Sequence, residues 1–148
     1  MMTNKTNNTA GYSGTALAKK LGIKAGYKIK VVNAPKEYSS FFSDLPHDLE
    51  WISAGQEKKN LIHYFAENNK QLEKDIVVLK NEIITNGVIW ISWPKKASKV
   101  PTDLNGNIVR SIGLKNGLVD IKVCAVSDIW SGLKFVIPTK HRTQHGLI

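Results

Sequence analysis

Between Gly87 and Trp93 the chain reads GVIWISW, with large apolar residues on consecutive rather than alternate positions. Successive side chains of a strand point to opposite faces. A run of this kind therefore suits a strand covered on both sides, as in a sheet with helices on its two faces. The flanking sequence offers the cover. Over about Asn68 to Ile84, Leu72, Ile76, Leu79 and Ile83 recur at i, i+4, i+7 and i+11, one face of a helix that Asn86 and Gly87 end. A second helix is expected from Thr102, whose hydroxyl would cap it beside Asp103. Leu104, Ile108, Val109 and Ile112 form its buried side, and Gly113 and Gly117 mark its exit.

The remaining segments fit the same plan. TALAKKLGI reads as a short helix stopped at Gly22, KIKVVNAP as the first strand, KEYSSFFSDL as a short helix, and LEWIS and NLIHYFA as strands. LVDIKVCAV and LKFVIP flank the loop SDIWSG, which suits an antiparallel hairpin. In the first of them Val119, Ile121, Val123 and Ala125 alternate with a wetter set, Asp120, Lys122 and Cys124. Strands separated by helices imply parallel crossovers. The expected fold is a three-layer α/β sandwich: a mostly parallel, Rossmann-like sheet of five or six strands that closes with an antiparallel hairpin. It occupies residues 15–138, between a flexible tail at 1–14 and another at 139–148.

Charge is where composition informs function. The 148 residues carry a net charge of +9. Seven lysines and no acid precede Glu37, acids outnumber bases nine to five from Glu37 to Glu82, and bases outnumber acids nine to three thereafter. A basic excess favours polyanionic partners, although exposed lysines are also the norm on any surface. One cysteine, Cys124, excludes an internal disulfide. No apolar run approaches the roughly 18 residues of a membrane span. A cytoplasmic protein without membrane insertion is expected.

Several motifs fail. The turn after the first strand is Asn33-Ala34-Pro35-Lys36. It has no glycine to let the backbone approach a dinucleotide or methyl donor, and Pro35 has no N–H to give. No phosphate loop and no nucleophile elbow occur, so no cofactor and no catalytic residue are assigned. No metal site is expected: His141 and His145 fall in a polar tail, and Cys124 reads as a small buried hydrophobe. His63, within LIHYF, reads as a packed strand histidine with its ring nitrogen satisfied.

Ligands of open α/β sheets bind beyond the carboxyl ends of the strands. PKKASK leaves the sheet at such an end, and NAPK should reach the same edge. Lys95, Lys96, Lys99 and Lys36 supply positive charge there. Ser98, Thr102 and the amides of the following helix are candidates to receive an oxyanion, and Trp93 and Trp130 are candidate aromatic contacts.

Three blocks, GYSGTALAKKLGIKAGYKIKVVNAP, VIWISWPKKAS with TDL shortly after, and GLVDIKVCAVSDIWSGLKFVI, together resemble the bacterial family catalogued as domain of unknown function 3052. The resemblance runs from Gly11 to about Ile137. It implies a small, soluble cytoplasmic protein of one domain and brings no activity, substrate or cofactor. The function expected from the residues is a non-catalytic binding module for an anionic ligand or partner: a nucleotide, nucleic acid or an acidic protein. One alternative is a small Rossmann-like enzyme acting on a nucleotide or phosphorylated substrate, with Lys95, Lys96 and Lys99 on phosphate and Asp128 or His63 in proton transfer. Another is a regulatory or scaffold subunit that pairs through the hairpin edge.

Overall fold

The computed structural model describes residues 16–142; the tail expected at 1–14, and His145, lie outside the described residues. Six strands form one sheet: β1 (Lys28–Val32), β2 (Glu50–Trp51), β3 (Lys59–Phe65), β4 (Ile83–Pro94), β5 (Val119–Ala125) and β6 (Trp130–Val136). Their order is β2-β1-β3-β4-β6-β5. The first four run parallel, and β6 lies antiparallel between β4 and β5. The expected architecture, mostly parallel and closed by an antiparallel hairpin, is the one present.

Three helices accompany the sheet: α1 (Leu17–Leu21), α2 (Asn69–Lys80) and α3 (Gly106–Lys115). Helices α2 and α3 cover one face, where Ile62, Tyr64, Ile89, Ile91, Trp93, Leu133 and Phe135 join Leu72, Ile76, Val109 and Ile112 in one core. Burying each such aliphatic side chain contributes about 1.5–3 kcal/mol. The opposite face is covered by α1 and by the segment after β1, whose Tyr38, Phe41 and Phe42 pack toward Ile29, Leu61, Phe65, Trp90 and Trp130. Trp90 is wholly buried here, and its indole N–H donates to the Leu21 carbonyl at 2.9 Å. A large ring can be buried because its one polar atom is satisfied.

Local departures from the sequence pattern have physical causes. Helix α2 ends at Lys80, capped at Asn81, and Ile83 already belongs to β4. The helical spacing of Ile83 is coincidental: its side chain is buried, but from a strand. Gly87 lies inside this strand, at a position that takes a glycine because a Cβ would stand 2.9 Å from Ile83 Cβ, beside a register shift against β3. In β5 a second register shift, between Asp120 and Lys122, moves the alternation to the other face. Ile121 and Val123 are exposed and Cys124 is buried, the reverse of the expected pattern. Trp130 and Gly132, expected in the hairpin loop, are strand residues opposite Pro94 and Ser92. Gly113 lies within α3 and does not end it. At the far end Thr139–His141 form a short 3-10 turn, and Arg142 Nε donates to the Ile137 carbonyl at 3.0 Å.

Candidate functional site

The strand order reverses at β1, which has β2 on one side and β3 on the other. The crevice beyond the carboxyl ends of β1 and β3 is the topological switch point, where open α/β sheets take their ligands. Four connections meet along this edge: the NAPK turn after β1, residues 66–68 after β3, the PKKASK segment after β4, and the hairpin tip before β6. Adjacent strands are about 4.8 Å apart, so β1 and β4, which flank β3, lie roughly 10 Å from one another.

Lys36, Lys95, Lys96 and Lys99 all belong to this edge, and none of them forms an ion pair among the described residues. Lys96 and Lys99 are exposed and Lys95 is partly buried. The Lys95 backbone N–H donates to the Ile129 carbonyl at 2.8 Å, which ties the β4 exit to the hairpin tip that carries Asp128. Topology thus brings the segments that carry these four lysines to one edge of the sheet.

The other expected members serve the framework. Ser98 donates to the Lys95 carbonyl at 2.7 Å and accepts from the Val100 N–H, so its hydroxyl closes its own turn. Thr102 does not cap α3. It donates to the Glu67 carbonyl at 2.6 Å and accepts from the Leu104 N–H, while Asn105 caps the helix by accepting from the Ile108 N–H at 2.9 Å. The amides of α3 therefore begin at Gly106, several residues beyond Lys99. Trp93 is 8% exposed, packed in the core beneath Gly106. Trp130 is 7% exposed on the opposite face, edge-on to Phe65 at 4.9 Å. Neither ring offers a flat surface to a ligand.

Two features escaped the sequence reading. The β3–α2 and β4–α3 loops are stitched together, by Thr102 to Glu67 and by Asp103 Oδ1, which accepts from the Asn69 N–H at 2.8 Å. At this seam Asn69 Oδ1 is buried without a partner, the one such side-chain polar atom among the described residues. A buried acceptor without a donor is costly unless something supplies one.

Under the edge lies a polar relay, Tyr38–His63–Ser92. The Tyr38 hydroxyl is 3.1 Å from His63 Nδ1, and His63 Nε2 is 2.7 Å from Ser92 Oγ. His63 is wholly buried, and burial lowers its pKa to about 3, which keeps the ring neutral. Burial likewise raises the Tyr38 hydroxyl well above its usual range. A neutral ring donates through one nitrogen and accepts through the other, so two hydroxyls satisfy it completely. The packed, satisfied histidine is as expected, but proton transfer to a ligand by His63 is not available from this position. Cys124 is buried, and burial raises its thiol pKa above the usual value. No group of three or more metal-ligating side chains occurs among the described residues. None of their helices is long and apolar enough to cross a membrane.

No family model and no curated protein matches the chain. Solved structures do. The magnesium protoporphyrin IX methyltransferase ChlM of Synechocystis PCC 6803, with bound SAM, is 8% identical, with a TM-score of 0.53 over 82% of this chain and 74% of that one. The O-methyltransferase NcsB1 from neocarzinostatin biosynthesis, with S-adenosylmethionine (SAM) and 2-hydroxy-5-methyl naphthoic acid, is 10% identical, with a TM-score of 0.58 over 87% of this chain and 51% of that one. DhpI in complex with SAH is 8% identical, with a TM-score of 0.59 over 84% and 83%. At such identities the likeness establishes the fold alone, a Rossmann-like α/β fold that these methyltransferases share.

This likeness corrects the expected function. The expected reading as a non-catalytic binding module does not stand, because the solved structures that share this fold are methyltransferases. It also raises the question of a methyl donor. The residues present do not fit one in the pose of a glycine turn. Positions 33–36 hold no glycine, and Pro35 cannot donate. Of the acids about 20 residues on, Glu50 opens the two-residue β2 and Glu57 is already paired with Lys28; directly after β2 the chain reads Ile52-Ser53-Ala54. The segment after β1 forms a four-residue 3-10 turn, Tyr38–Phe41, instead of a helix.

Proposed function

We propose that the chain is a small-molecule enzyme that acts on a nucleotide or another phosphorylated substrate at the carboxyl edge of its parallel strands. The observation that carries this reading is the unneutralised charge of that edge: Lys36, Lys95, Lys96 and Lys99 lie on the exits of β1 and β4, without a carboxylate partner among the described residues. Lysine ammonium groups suit phosphate as compact point charges. The partnerless Asn69 acceptor adds a demand for a donor, which a base or sugar hydroxyl can supply. Asp128, exposed on the tip tied to the Lys95 backbone, is the acid assigned to proton transfer.

We further propose membership of the family catalogued as domain of unknown function 3052, on the three blocks quoted above; that resemblance assigns no activity, substrate or site residue.

Thermal-shift titration with nucleotides and phosphorylated metabolites tests the proposal. A true ligand at ~100 times its dissociation constant stabilises the protein by about 2.7 kcal/mol. The Lys95→Ala/Lys96→Ala double variant should lose that shift, whereas Asp128→Asn should keep binding and lose turnover. A panel that produces no shift sinks the proposal.

A further inference from the structure

We infer that the crevice between β1 and β3 is closed by the chain's own side chains, so that this protein binds neither SAM nor SAH. The inference rests on the same carboxyl-edge reading, in which a phosphorylated substrate meets the exposed lysines on the rim and does not enter between β1 and β3. The turn itself is the first reason. Asn33 adopts a left-handed backbone, with φ of 59°, in the place where a glycine would leave the backbone bare. Its side chain then crosses the crevice: Nδ2 donates to the Phe65 carbonyl, the last residue of β3, at 3.4 Å. The tie spans the two strands between which a ligand would have to enter.

The second reason lies on the face of the sheet covered by the segment after β1. The Tyr38 ring meets His63 at 5.5 Å, Phe65 at 5.5 Å, Phe41 at 5.8 Å and Phe42 at 5.2 Å, each edge-on. His63 and Phe65 stack at 4.3 Å. The Tyr38 hydroxyl is held by His63, whose other nitrogen is held by Ser92. Moving this segment aside would strip Nδ1 of the wholly buried His63 of its partner and further expose several aromatic rings, each step unfavourable. A glycine loop can make room at little cost. This aromatic turn cannot.

Calorimetric titration of the folded protein with SAM and with SAH, beside amide chemical-shift mapping, decides the matter. Folding is checked in the same sample by a cooperative thermal transition. The expected result is no saturable binding up to about 1 mM, the weak end of the affinity scale, and no perturbation of Asn33, Tyr38 or Phe65. Non-saturating changes spread over the surface agree with it. Saturable binding of either molecule, with shifts centred on those three residues, overturns it. A parallel titration with ATP separates this inference from the enzyme proposal. If no phosphorylated ligand binds either, the proposal falls and the inference stands. If SAM or SAH binds, the inference alone falls.

Discussion

The two rims of the parallel strands carry similar numbers of cations and treat them in opposite ways. At the amino rim, Lys28 meets Glu57 at 3.0 Å, and Glu82 serves both Lys30, at 2.8 Å, and Lys59, at 3.5 Å. Lys59 is 1% exposed, and its ammonium also donates to the Gly55 carbonyl at 3.3 Å. At the carboxyl rim, four lysines remain without acids among the described residues, and beneath them Tyr38, His63 and Ser92 satisfy one another. One rim uses its charge internally, to build the sheet. The other holds charge available to an outside anion. The acidic stretch from Glu37 to Glu82 contributes Glu57 and Glu82 to the first rim and no ion-pair partner to the lysines of the second.

The contrast can be broken or sharpened by experiment. The largest effect should come from acid. His63 is neutral in the folded protein down to about pH 3, but titrates near 6.5 when unfolded. Between those values the unfolded chain binds one more proton. Its contribution to stability is complete above pH 6.5 and falls by about 1.4 kcal/mol per unit as pH drops toward 3. Urea unfolding at pH 4.5 should show about 2.7 kcal/mol of this loss. His63→Asn should flatten that part of the profile, and an unchanged slope would place the titration elsewhere.

Next in size, Glu82→Ala should destabilise by about 2–3 kcal/mol, because it leaves the buried Lys59 ammonium without its carboxylate. The figure is set below that for a fully buried pair because Glu82 is partly exposed. The smallest change should come from the other rim. Lys95→Ala or Lys96→Ala should shift stability by less than about 0.5 kcal/mol, as surface substitutions do. Losses at Lys95 equal to those at Glu82 would show that the two rims do not differ in kind.

Much of this was legible in the sequence. Consecutive apolar residues at 88–91 announced a doubly covered strand, and the spacing of Leu72, Ile76 and Leu79 announced the helix that covers it. The lysines of PKKASK were placed at a strand exit by chain order alone. What failed did so where several patterns fit one residue. Ile83 satisfied a helical period while lying in a strand, and Thr102 had the chemistry of a cap while a longer-range carbonyl, that of Glu67, claimed its hydroxyl. Trp93 and Trp130 illustrate the same limit: an aromatic at a strand end is read as exposed unless its covering element is known. The bulge in β5 and the pairing of Tyr38 with His63 depend on contacts distant in sequence, and no local period encodes them.

The contact between α3 and the sheet has a further consequence. A Cβ built on Gly113 would fall 2.1 Å from Phe135 Cε1, so helix backbone rests directly on the ring. The clearance of α3 above the sheet is set by the width of one hydrogen atom. The loop leading into α3 carries Thr102 and Asp103, the two pins that fasten it to the β3 exit. A single added methyl at position 113 would act as a wedge under the helix and lever those pins from their sockets, so the shape of the lysine-bearing rim depends on the other end of α3, on a residue that has no side chain.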